Sequence, residues 1–255
     1  MKITCMVAVL AAASLGAQAA ELHVGDCKRP AARTDLSACD LSGAKLAGKD
    51  LRGARFAGAK LENADFRKAR LDEADFRGSN AKWAKFGKAS LKAADFRKAD
   101  LFHAVFDDAD LTDARLGEAN LFGANLINTR AVRADFGGAY LKDVLMEGIN
   151  LSGGSLRGCY AFRGVLTDAK LAGADLSGAD LTGAALENAD LTGAKLVGTK
   201  LLGATLRFAV FKGSNMAGAD LANADVWNAN FSQVSNRPPS VQEALVEPFV
   251  ARERR

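Results

Sequence analysis

Only two of the 255 residues are histidine, His23 and His103, and only four are cysteine. That scarcity removes the common hydrolytic enzymes, which hold a general base beside a nucleophile or a metal. Neither histidine has a partner pattern around it. No Cys/His metal spacing, no glycine-rich loop joining strand to helix and no paired carboxylates stand out. No enzymatic activity, no cofactor and no metal is expected. The apolar run at the N-terminus, Ile3 to Leu15, is too short to cross a bilayer, and the chain has no other long apolar segment. It also lacks an excess of one charge, since 34 Lys and Arg against 30 Asp and Glu leave a formal +4. With both signs interspersed, the surface reads as solvated, and no nucleic acid is expected as partner.

What the chain does have is a ruler. Every fifth residue from Leu36 to Phe231 is apolar, without insertion or deletion, and these 40 positions hold 25 Leu, 9 Phe, 2 Met, 1 Val and 3 Ala. Five helical steps of about 100° spread such residues over every face of a helix. An odd period sends alternate members to opposite faces of a flat strand. The backbone itself must therefore repeat every five residues. Two positions before each central residue stands Ala in 28 of 40 units, and two positions after it stand 18 of the 25 glycines. Small and large inward residues thus alternate with an outward polar one, and glycine permits a tight corner. Short extended pieces joined by corners make a solenoid of stacked parallel strands.

Stretches such as Ala174-Asp175-Leu176-Ser177-Gly178 and Ala179-Asp180-Leu181-Thr182-Gly183 resemble the pentapeptide-repeat family, whose units read A-[DN]-L-x-x. The resemblance covers residues 34 to 233. It implies an all-β fold, a right-handed, quadrilateral parallel β-helix with four units per coil. Forty units then give about ten coils and a rod of about 48 Å. Twenty residues per coil place Phe56, Phe76 and Phe96 in one column and Phe66, Phe86 and Phe106 in the opposite one. Leu61, Leu71, Leu91 and Leu101 fill the other two, an arrangement that a three-sided coil would scramble. In the small-residue column Ala124, Val144 and Gly164 succeed one another, so an oversized residue is followed by an undersized one. The weak consensus from 144 to 165, with Ile149, Gly154, Cys159 and Ala161, predicts a local bulge or bend. Lys49 occupies a small inward position near the end of the rod, where its ammonium can reach solvent.

The ends have their own signals. Lys2, an apolar run from Ile3 to Leu15 and Ala17-Gln18-Ala19 fit a secretory signal peptide cleaved after Ala19. The expected organisation is a signal peptide over 1–19, an N-terminal cap over 20–33, the β-helix over 34–233, and a C-terminal cap with a short helix and basic tail over 234–255. The expected location is periplasmic or secreted. In such a compartment Cys27 and Cys39 bracket the start of the first coil and can bridge, the alternative being two free thiols. Cys159 falls on a small inward slot and reads as a buried thiol. At the other end, Pro238-Pro239 is followed by Ser240 and Glu243, the spacing of a capping box. It opens a short helix through Val241, Ala244 and Leu245 that Pro248 stops. The resemblance adds an alternative to simple capping, a homodimer through this C-terminal end.

Aromatics outside the core gather on one side. Trp83, Phe102, His103, Phe122, Tyr140, Tyr160 and Phe162 all point outward there, and across the adjoining corner stand Val105, Leu145 and Val165. The expected protein-binding residues are Trp83, Phe102, Phe122, Tyr140, Leu145, Tyr160, Phe162 and Val165. Their partner is an unidentified envelope protein or a second copy. A purely structural or self-associating rod is the alternative. The acidic DNA mimics of the family, which bind topoisomerases, are a poorer match because this surface is not acidic.

Overall fold

The computed structural model describes residues 22–242 and 244. Each amide of a five-residue unit has its own destination, and these five destinations define the fold. Around Leu51, the Leu51 and Gly53 amides donate forward to the carbonyls of Arg70 and Asp72, and the Arg55 amide donates back to Thr34. The Ala54 amide closes a turn on the Leu51 carbonyl. That leaves the Arg52 amide, which Asp50 accepts through Oδ1 at 3.3 Å. The same bond recurs from Thr112 to Asp110, from Ile127 to Asn125 and from Ser177 to Asp175. Where Asp or Asn precedes the central residue, it is thus the acceptor for the one amide the ladder leaves unpaired.

Parallel bridges join Asp35 to Arg55, Asp40 to Lys60, Lys45 to Asp65 and Asp50 to Arg70, and continue in steps of 20 residues to Asn215 and Ser235. With a turn every five residues, each coil has four short sides. Every fifth residue from Gly43 to Gln233 has φ between +52° and +70°. This is the third residue of a type II turn, which favours glycine. Bulky residues occupy it too, among them Trp83 at 55° and Phe208 at 58°.

Inside, the central residues and the alanines form one continuous buried core. The two phenylalanine columns stack within themselves, Phe66 on Phe86 at 5.1 Å and Phe76 on Phe96 at 4.5 Å. Across the rod they meet edge to face, as Phe76 does with Phe86 at 5.7 Å. Where Thr replaces the small alanine, its hydroxyl donates to a carbonyl of the preceding coil, Thr129 to Phe106 and Thr199 to Leu176. The bulge expected over 144 to 165 is absent. Bridges run unbroken through Tyr140–Tyr160, Leu145–Val165 and Asn150–Lys170. The reason is compensation inside the columns, because a Cβ added to Gly164 would lie 3.3 Å from Val144 Cγ1. Lys49 is exposed, as its place near the end allows.

The N-terminal end is capped by strand β1 (His23–Val24), which pairs in parallel with β2 (Thr34–Asp35). Cys27 and Cys39 are joined in a disulfide with Cα atoms 5.5 Å apart. At the other end the expected helix is replaced, within the described residues, by a single 3-10 turn, Pro239–Gln242. Ser240 lies within that turn instead of capping a helix, because its hydroxyl serves the last coil. It accepts from the Leu221 amide at 3.0 Å and donates to the Ala219 carbonyl. Val241 and Ala244 continue the five-residue register and are buried. Glu243, Leu245 and Pro248, which the helix expectation also used, lie outside the described residues, as do the signal-peptide residues 1–19.

Charge is less evenly mixed than the sequence pattern implied. Residues 77–98 carry seven Lys and Arg against one Asp, while residues 99–118 carry six acids against one Arg. Stacking a basic coil on an acidic one lets them pair, Lys82 with Asp100 at 3.2 Å, Lys92 with Asp110 at 3.5 Å and Lys98 with Glu118 at 3.6 Å.

Candidate interaction surface

The outward aromatics form one continuous ladder. Trp83 meets Phe102 edge to face at 5.4 Å, and Phe102 stacks on Phe122 at 5.4 Å. Phe122 stacks on Tyr140, Tyr140 on Tyr160 and Tyr160 on Phe162, at 6.2, 5.4 and 6.2 Å. Trp83 is 41% exposed and Tyr140, Tyr160 and Leu145 are similarly open, while Phe102, Phe122, Phe162 and Val165 are half-buried. Lys142 lies 5.8 Å from the Phe122 centroid and Arg163 5.8 Å from that of Phe162. His103 packs its ring edge-on against Phe102 at 4.4 Å and leans over Gly123, where an added Cβ would strike its Cε1 at 2.5 Å. Leu145 and Val165 are bridge partners on the adjoining side. The expected surface residues are therefore brought together around one corner of the rod.

This ladder has a local cost. Tyr140, Leu145, Tyr160 and Val165 stand where Asp or Asn would accept the leftover amide. Some Lys and Arg at the same position elsewhere gain ion pairs between coils, as Arg55 does with Asp35 and Lys60 with Asp40. The aromatic and aliphatic residues gain only contact with one another. Trp83 and His103 further hold positive φ, at 55° and 52°, which is unfavourable for large side chains.

A second aromatic pair was not anticipated. Phe208, 46% exposed and also at positive φ, meets Trp227 edge to face at 4.8 Å. It repeats the relation of Trp83 to Phe102, a corner residue touching the aromatic 19 positions later, so the ruler that located the first pair applies to the second. Leu202 is exposed on the ladder's own side, in the column of Phe102, Phe122 and Phe162, and Val197 on another side.

Chemistry is otherwise sparse. Among the described residues no group of three or more His, Cys, Asp or Glu is placed to hold a metal. Cys159 is buried with its thiol pushed up to about 12 by that burial. Burial likewise raises Asp107, with Asp108 beside it adding to the effect. No helix among the described residues is long and apolar enough to cross a membrane.

The recurring unit is matched by two family models, a pentapeptide repeat region over residues 49–126 and pentapeptide repeats over 119–158, 165–201 and 199–235. The chain belongs to the pentapeptide-repeat family. No curated protein matches it. Among solved structures, this pentapeptide-repeat protein is similar to HetL of the cyanobacterium Nostoc, a pentapeptide-repeat protein involved in regulating heterocyst differentiation. The two are 28% identical over 80% of this chain and 90% of HetL, with a TM-score of 0.43. QnrB1, a plasmid-mediated fluoroquinolone resistance protein, is 20% identical over 74% of this chain and 83% of its own, with a TM-score of 0.36. Rfr23 of the cyanobacterium Cyanothece is 22% identical over 52% of this chain and 91% of its own, with a TM-score of 0.37.

Proposed function

We propose that this pentapeptide-repeat protein is an exported, non-enzymatic binding module, a right-handed rod of about ten coils that docks another protein on its aromatic side in the periplasm. The observation that carries the reading is the cost of the ladder. Tyr140, Leu145, Tyr160 and Val165 forgo an amide acceptor, and Trp83 and His103 hold unfavourable φ, to place apolar surface in water. Aromatic anchors of this kind commonly supply interface energy. Their orientation favours a protein over a saccharide. Parallel rings on successive coils partly cover each other's faces and present edges and phenol hydroxyls outward, whereas stacking of a sugar requires open ring faces.

The signal-peptide pattern of residues 1–19 supports export. N-terminal sequencing of the secreted chain tests it, with Ala20 expected as the first residue and Met1 contradicting it. The surface itself is tested by Phe122→Ser/Phe162→Ser. Both rings are half-buried on the outside, so the melting temperature is expected to hold within a few degrees while binding is lost. A large drop in melting temperature with binding retained contradicts the assignment and favours the second reading, a purely structural rod whose outer rings brace its coils.

A further inference from the structure

We infer that the partner on the aromatic side is a second copy of this chain, placed by a two-fold axis normal to that side and midway between segments 120–123 and 140–143. The inference rests on reading this side as a protein-binding surface. Such an axis reverses both the direction along the rod and the direction across it. It sets Asp100 of one copy against Arg163 of the second copy, and the reciprocal pair forms at the other end. Tyr140 faces the position of Gly123, which the His103 imidazole covers, so that the phenol meets the imidazole.

Charge favours this register over the two half-coil shifts beside it. With the axis moved onto segment 120–123, Asp100 meets Asp143 of the second copy; moved onto segment 140–143, Lys142 meets its own counterpart. Like charges in contact oppose association. Asp100 and Arg163 are available for the contact, their side chains being 35% and 62% exposed even with Lys82 and Asp143 beside them.

Sedimentation of the full chain at rising concentration is expected to show a monomer passing to a dimer of twice the mass. Asp100→Cys/Arg163→Cys then reads the register. Within one chain these positions are three coils, about 14 Å, apart, beyond the reach of a disulfide. Of the native cysteines, Cys27 and Cys39 are bridged, Cys159 is buried, and Cys5 is removed with residues 1–19 of the proposed signal peptide, so none interferes. Mild oxidation is expected to give a covalent dimer linked from 100 to 163, and none from either single variant. A chain that stays monomeric at every concentration overturns the inference, and so does equal crosslinking of Asp100→Cys/Asp143→Cys. If the chain is monomeric but a photo-crosslinker at Phe122 captures one different protein in the cell, the binding surface stands and the second copy does not. A monomer with no adduct at Phe122 overturns both.

Discussion

The hydroxyl of Ser240 takes both positions that the backbone of a further coil would hold against Leu221 and Ala219. Inside the rod, Leu201 donates to the Asp220 carbonyl and Asp220 donates to the Thr199 carbonyl. At the end, one Ser240 Oγ accepts from Leu221 and donates to Ala219. Ser240→Ala is expected to cost about 1 kcal/mol and to speed hydrogen exchange at the Leu221 amide, with interior amides such as Leu121 unchanged. Unchanged exchange at Leu221 contradicts the capping role.

Glycines at the small inward position are expected to differ in how they tolerate a methyl group. At Gly164 an added Cβ meets Val144 Cγ1, Leu166 Cδ1 and the Ala161 carbonyl at 3.2 to 3.3 Å. Gly164→Ala should cost about 1–3 kcal/mol, part of it recovered by Val144→Ala. At Gly154 the Cβ would lie 2.7 Å from the Ala134 carbonyl and 2.5 Å from Leu151 Cδ1. The backbone oxygen cannot be trimmed by mutation, so Gly154→Ala should be the more damaging. Thermal melts of the three variants check the order.

Acid should loosen the rod over a defined range. Side-chain hydrogen bonds from Arg52 and Arg67 hold Asp50 and Asp65 down to about 2, against an ordinary 3.8. A carboxyl with a lower pKa folded than unfolded stabilises the fold above its unfolded value and loses that contribution as pH falls through the folded one. The melting temperature should therefore drop between about pH 4 and pH 2, and Asp50→Asn/Asp65→Asn should shallow that slope. An identical slope in the double variant contradicts the assignment.

The rod was legible because its central residues keep register from Leu36 to Phe231, and a 20-residue spacing aligns Phe56 with Phe76 and Val144 with Gly164. The Cys27–Cys39 bridge followed from the place of both cysteines around the start of the first coil. The start of the C-terminal cap was less legible, because Ser240 and Glu243 have the spacing of a helix cap while Ser240 lies inside the 3-10 turn and Val241 also lies on the five-residue ruler, ten residues beyond Phe231. The bulge expected near Gly154 failed to appear because substitutions that look irregular along the chain compensate one another between coils. Phe208 and Trp227 were missed although 19 residues separate them, as they separate Trp83 from Phe102. Ring orientation was beyond sequence, since stacking of Phe102 on Phe122 depends on side-chain torsions.

The most direct test of the aromatic side as a binding surface is a photo-crosslinking amino acid at Phe122 in the native cell, with Thr112, on a side without outward aromatics, as control. The account predicts one discrete protein adduct from Phe122 and none from Thr112. No adduct at Phe122, or the same products from both positions, would contradict it.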